Sequence, residues 1–273
     1  LLTPDAIFFG VCLLTGVVSG FVGGLLGLGG GMIIVPVLIF LYDFFFDVPK
    51  AAHLAVGTSL SVVLLTSLSA SYTHYKKAAV DWSPARLWVI PLIVGSFSAG
   101  LLADFFTGRW LTVVVAICMM VFAGIFIFNR RLPAHHPRTP ATSGVVAVAT
   151  AIGLVSGLAG VGGGNLIVPS LIYWLGLSFV FAAALSSLLI IPVAFFGALG
   201  FILSGWLEPG RPLYSLGYIH LPATFAIALG AVLFAPAGVK VAYLARDGTL
   251  KTIFAVVLMG VSCGLLWSSF RDF

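Results

Sequence analysis

The chain has 273 residues, 61% of them hydrophobic and only 8% charged, with a mean hydropathy of +1.20; soluble domains sit at roughly 45–50% apolar and 25% charged. This balance excludes a soluble globular domain and identifies an integral membrane protein. The formal charge of +5 belongs to basic residues scattered over many short loops, with no stripe that would face nucleic acid, so it is read as topology-setting charge.

The sequence opens on Leu1, with no Met and no basic stretch ahead of its first apolar run, so a cleavable signal peptide is not visible and a trimmed start is expected. Several apolar runs exceed the ~20 residues that a helix needs to cross ~30 Å of hydrocarbon, and the alternating decapeptides of a barrel are absent. Helices therefore do the spanning. Ten apolar segments follow in order: 5–27, 32–46, 53–73, 86–106, 109–128, 143–161, 165–177, 180–204, 218–237 and 250–270. Cys12, Cys118 and Cys263 lie singly inside them, without CxxC or metal-type spacing. The polar stretch 129–142, with Arg130, Arg131, Pro133, Pro137 and Pro140, is the one clear boundary. It separates a first transmembrane repeat, 1–128, from a second, 143–273. The expected fold class is an all-α polytopic membrane protein of two homologous five-segment halves, with about 8–10 transmembrane or re-entrant helices.

The halves share a motif. Gly24-Leu25-Leu26-Gly27-Leu28-Gly29-Gly30-Gly31-Met32-Ile33-Ile34-Val35-Pro36 recurs 133 residues later as Gly157-Leu158-Ala159-Gly160-Val161-Gly162-Gly163-Gly164-Asn165-Leu166-Ile167-Val168-Pro169, with 9 of 13 positions identical. The segment after each glycine cluster has only about 13–15 residues and is read as a short or re-entrant helix. Thr58-Ser59-Leu60 in the third segment matches Ser186-Ser187-Leu188 in the eighth, and Ile90-Pro91 in the fourth matches Leu221-Pro222 in the ninth. With the N-terminus outside and an odd number of crossings per half, nine Lys and Arg fall inside and four outside. The positive-inside bias then favours halves inverted relative to each other. Counting each glycine-linked pair as one crossing gives parallel halves instead, and leaves the Lys240, Arg246 and Lys251 loop outside.

Consecutive glycines inside lipid leave backbone groups without helical partners, which is tolerated only where the segment is buried in protein or lines a cavity. A helix that starts just after them points its free N–H groups and the positive end of its dipole at the break. Gly29, Gly30, Gly31 and Met32, with Gly162, Gly163, Gly164 and Asn165, are therefore candidate anion-binding residues that need no charged side chain. Gly16, Gly20 and Gly24, one per turn, read as a helix-packing surface. Thr58, Ser59, Ser186 and Ser187 are candidate hydroxyl donors to the anion, with a hydrogen bond back to their own helix as the alternative. All eight acids lie in loops or near segment ends, so no mid-membrane carboxylate offers itself to a cation or a proton relay. His53, His74 and His220 fall near segment ends and read as interfacial residues, and no metal site or cofactor is expected. Ser96-Phe97-Ser98-Ala99-Gly100 lacks the first glycine of a nucleophile elbow. HExxH and a phosphate loop are also missing, so an enzyme is not expected.

On the duplicated GxGGGxxxVP of Gly27–Pro36 and Gly160–Pro169, with Thr58-Ser59 downstream, the sequence is similar to the TauE/SafE family of sulfite and sulfonate exporters. The resemblance covers almost the whole chain. It implies a multi-pass protein of the plasma or inner membrane that moves sulfite, sulfoacetate or a related organosulfur anion. The expected function is a secondary transporter whose small sulfur-containing anion sits at the two glycine breaks. An anion channel with the same site and a non-transporting membrane subunit are the alternatives. The implied partners are the anion, the lipid bilayer and a second copy of the chain in a homodimer; nucleic acid is not expected.

Overall fold

The computed structural model describes residues 4–46, 48, 50–77, 83–105, 117, 120, 124 and 142–271. Its helices are α1 (Pro4–Leu26), α2 (Gly31–Phe45), α3 (Ala51–Lys77), α4 (Arg86–Leu102), α5 (Thr142–Ala159), α6 (Gly164–Leu175), α7 (Phe179–Ser204), α8 (Leu221–Leu244) and α9 (Asp247–Arg271). Single 3-10 turns occupy Ser83–Ala85 and Ala103–Phe105, and a two-residue hairpin pairs β1 (Ser215–Leu216) with β2 (Ile219–His220). All but one of the expected segments thus become helices. The remaining one, 109–128, and the linker up to residue 141 fall outside the described residues, save 117, 120 and 124.

Among the described residues, five helices are long and apolar enough to cross a membrane: α1, α3, α4 with its 3-10 extension, α7 and α8. The helices after the glycine clusters are short, as expected, at 15 residues for α2 and 12 for α6. At 1.5 Å per residue neither covers the hydrocarbon thickness.

Helix packing does not follow the sequence halves. Gly16, Gly20 and Gly24 of α1 lie on the backbone of Ile227, Ala231 and Ala235 of α8, and Gly230 and Gly238 of α8 lie on Leu13 and Phe21 of α1. Between α4 and α5, Gly95 meets Thr150, Gly153 meets Leu92, and Gly157 meets Ser96 and Ala99. Small residues at these spacings let two backbones touch, and the steps ascend together, so each pair runs parallel. The first helix of each half therefore lies along the fourth helix of the other. Helix α8 also packs on α3, and α4 on α7, where Gly100 meets Gly200.

Two bodies result. One is α1, α2, α3 and α8, with a core of Phe8, Cys12, Ile34, Leu38, Leu54 and Ile227. The other is α4, α5, α6 and α7, with Trp88, Leu92, Ala149, Leu171, Leu185 and Val193 in a core that also takes in Leu26, Met32 and Val63 of the first. They meet along α3 and α7, which pass in opposite directions: Gly57 lies beside Phe201, and Gly197 beside Leu60.

These contacts correct both landmark matches. Gly20 faces Ala231 where its repeat partner Gly153 faces Leu92, so Ala231, not Ala223, answers Leu92. The proline match fails accordingly: Pro222 stands in the first turn of α8, whereas Pro91 lies inside α4. In the centre, Gly27 meets Ala183 where Gly160 meets Val56. Ser59 therefore answers Ser186, and Ser187 answers Leu60, one residue away from the match read in sequence.

Candidate functional site

Each glycine cluster breaks the chain by conformation. Gly27, Gly29 and Gly30 have φ of 70°, 73° and 88°, and Gly160, Gly162 and Gly163 have 68°, 75° and 90°. A side-chain-bearing residue pays roughly 1–2 kcal/mol in that left-handed region, which is why glycine recurs at these positions. The chain can then reverse between α1 and α2, and between α5 and α6, within four residues. Gly30 and Gly163 are the N-caps of the short helices and supply no side-chain cap.

The turns dock on one another. Gly31 packs on Gly160 and Val161, while Gly164 packs on Gly27 and Leu28. Gly29 and Gly162 both rest against Val63 of α3 and Ile190 of α7. The structure thus brings together Gly29, Gly30, Gly31, Met32, Gly162, Gly163, Gly164 and Asn165, all of them buried. Carbonyls of Gly30 and Gly163 accept from Ile33 and Ile34, and from Leu166 and Ile167. Gly31, Met32, Gly164 and Asn165 open their helices, where N–H groups have no acceptor within the helix itself. Two helix N-termini converge on one place at the junction of the two bodies.

The four hydroxyl residues divide. Ser59 Oγ donates to the carbonyl of Gly160 at 2.7 Å, and Ser186 Oγ donates to the carbonyl of Gly27 at 2.9 Å. Each repeat's serine thus holds the other repeat's turn, and its proton is spent on the protein. Ser187 bonds back to the Ala183 carbonyl of its own helix at 2.9 Å. Thr58 Oγ1 lies 3.3 Å from Tyr42 Oη and accepts from the His220 backbone N–H at 2.9 Å, tying α2 and β2 to α3. Ser59 and Ser186 thus bond to the turns, whereas Thr58 and Ser187 bond to other partners.

Sequence reasoning missed two further hydroxyls at the turns. Ser67 Oγ lies 3.1 Å from where a Cβ on Gly29 would stand, and Ser156 Oγ lies 3.1 Å from that of Gly163. A lone serine in an apolar run carries no signal of its own. His74 and His220 lie near helix ends, as read, and are buried; His220 packs against Phe8, Tyr42 and Phe46.

A second polar cluster closes one end of the junction. Lys50 Nζ donates to Asp104 Oδ1, Glu208 Oε2 and Tyr218 Oη, each at 3.0 Å, and Tyr218 donates to Asp104 at 2.8 Å. The Tyr218 hydrogen bond, opposed by burial and joined by the bonds to Glu208 and Asp104, holds the Lys50 ammonium well above the ordinary lysine range. Burial pushes the Tyr218 phenol up to about 12. Arg211 closes the adjacent loop on the Glu208, Trp206 and Gly217 carbonyls. Lys50 leads into α3 of one body, whereas Asp104 and Glu208 follow α4 and α7 of the other, so the cluster ties the bodies together.

Comparison with known proteins agrees with this reading. A family model described as sulfite exporter TauE/SafE matches residues 12–265. A Haemophilus influenzae protein named "Probable membrane transporter protein" is 31% identical over 266 residues, which cover 94% of this chain and 98% of the relative. "Probable membrane transporter protein MJ0441" of Methanocaldococcus jannaschii is 27% identical, over 90% of this chain and 91% of its own. "Probable membrane transporter protein YunE" of Bacillus subtilis is 28% identical, over 95% and 97%. No solved structure matches the chain significantly. With a match that spans nearly its whole length, the chain belongs to the TauE/SafE family.

Proposed function

We propose that this protein is a secondary transporter of the plasma or inner membrane, and that it carries a small sulfur-containing anion, with sulfite the first choice. The observation that carries this reading is the mutual docking of two glycine turns at two helix N-termini, in a bundle whose buried side chains, among the described residues, include no Lys or Arg. Backbone N–H groups and helix dipoles stabilise a buried negative charge without competing cations. The transporter names of the relatives and the family description support the same class. The antiparallel passage of α3 and α7 supports halves of inverted topology.

The anion site lies between the two bodies, which suits alternating access by rocking one body on the other along α3 and α7. The rocking units are the helix-exchanged bodies and not the sequence halves, because separating the halves would unzip the glycine contacts of α1 with α8 and of α4 with α5. Labelled sulfite flux into proteoliposomes tests the reading. Wild type is expected to show saturable flux stimulated by sulfite on the opposite side, and Gly30→Leu and Gly163→Leu are expected to lose it. Because both positions need a left-handed backbone, each variant is checked for a wild-type elution volume, and Asn165→Leu, at an ordinary helical position, serves as a second variant. Wild-type flux in all three places the anion elsewhere, and flux that neither saturates nor exchanges indicates a channel.

A further inference from the structure

Serine and threonine in these helices mostly satisfy themselves locally. Ser61, Thr66, Thr73, Ser170 and Ser187 each donate to the carbonyl four residues earlier. Ser67 and Ser156 do not. Their Oγ atoms are buried without any hydrogen-bond partner, as is Oδ1 of Asn165, and the three residues are 1%, 2% and 3% exposed. Other such atoms occur at Ser204, Ser215, His74 and His220, but these three stand at the glycine turns. Ser67 faces Gly29, Ser156 faces Gly163, and Asn165 is the second residue of α6. A buried polar group left unpaired is costly, and a ligand that pairs it removes that cost.

Charge limits what the ligand is. Helices α1, α2, α5, α6 and α7 contain no Lys or Arg, and α3 carries Lys76 and Lys77 only in its last turn. The compensating charge at the turns is that of two helix N-termini, roughly half an elementary charge each. Together they neutralise a monoanion and leave a dianion with uncompensated buried charge. Asn165 adds an acceptor beside its donor, whichever way its amide is turned, and an acceptor suits a ligand that still carries a proton.

We propose that Ser67 and Ser156 are specificity-determining donors of the anion site, and that with Asn165 and the turn amides they select a singly charged, protonated oxyanion, hydrogensulfite over sulfite dianion. This rests on the transport reading given above. The hydroxyls come one from each repeat but not from equivalent positions: Ser156 stands where the first repeat has Gly23, and Ser67 where α7 has Ala194. The site is therefore lopsided within a symmetric frame, as Met32 against Asn165 already indicates. The side chains nearest the turns from α1, α2, α3, α5, α6 and α7 include Ser19, Ser59, Ser67, Ser156 and Ser186 among Val and Ile, with no titratable group among them. A pH dependence of affinity thus originates in the substrate, which loses its second proton near neutrality.

The test is the initial rate of labelled sulfite uptake by the full chain in proteoliposomes from pH 6 to 8, for wild type, Ser67→Ala, Ser156→Ala and the self-satisfied control Thr66→Ala. The apparent KM in total sulfite is expected to rise with pH in step with the falling monoanion fraction, and to stay constant when expressed as monoanion. Each serine variant is expected to raise KM about tenfold or more, the loss of one hydrogen bond to a charged ligand, with no fall in Tm; Thr66→Ala should leave KM unchanged. Unaltered KM in both serine variants, or a KM that falls as pH rises, overturns the proposal while the transport reading stands. Absence of saturable sulfite uptake by wild type overturns the transport reading itself and this proposal with it.

Discussion

Ser59 and Ser186 show how single hydroxyls hold the site. Their acceptors, 101 and 159 residues away in sequence, are buried carbonyls of the glycine turns. Removing such a donor strands a buried carbonyl, which costs about 1–3 kcal/mol. Ser59→Ala and Ser186→Ala are each expected to lower Tm in detergent by several degrees, while Ser187→Ala, whose bond is local, should shift it little. Equal Tm values for all three would mean that the cross-repeat bonds do not hold the turns. At this scale the glycine triplets were legible in the sequence, since Gly29 to Gly31 and Gly162 to Gly164 recur in register and a left-handed backbone has few other solutions. The serines were legible as polar residues but not in their roles. A hydroxyl's acceptor is set by the fold, and one residue of register decides whether it points to another element or back to its own helix.

At the scale of the elements, the short helices α2 and α6 work by ending where they do. Each starts at a glycine whose missing side chain lets the other turn lie against it. A methyl group at Gly31 or Gly164 meets the backbone of Gly160 or Gly27, and overpacking of this kind typically costs 1–3 kcal/mol, here roughly in that range. Gly31→Ala and Gly164→Ala are therefore expected to destabilise, whereas Gly10→Ala, with open space around it, should be neutral or slightly stabilising as a helix-favouring change. Thermal unfolding in one detergent compares the three; a Gly31→Ala protein as stable as Gly10→Ala would contradict the docked arrangement. The lengths and order of these helices followed from hydropathy and glycine placement. Their partners did not: one small residue per turn in α1 specifies close approach to some helix, and nothing local says that this helix is α8 and not another of its own half.

At the scale of the whole molecule, exchange of the fourth helix turns two sequence repeats into two different mechanical bodies. The division at 129–142 remains a division of sequence, because the packing cuts across it. Lys50 with Asp104 and Glu208 ties the bodies at one end, and with side chains about one-third exposed each pair contributes little stability, on the order of 0–1 kcal/mol. A tie that weak can open and close. Cysteines at Lys50 and Glu208, in a chain freed of Cys12, Cys118 and Cys263, are expected to stop transport once joined by a reducible bifunctional thiol cross-linker and to restore it on reduction. Undiminished flux in protein shown to be fully cross-linked would show that this end need not part.

The most direct measurement is an experimental structure of the full chain at saturating selenite, a heavier oxyanion of the same shape, with the anomalous signal of selenium to locate it. One peak is expected between Gly31 and Gly164, within hydrogen-bonding distance of the turn amides and of the Ser67 and Ser156 hydroxyls. A selenium peak that lies only elsewhere, or none at a concentration that saturates transport, would contradict it.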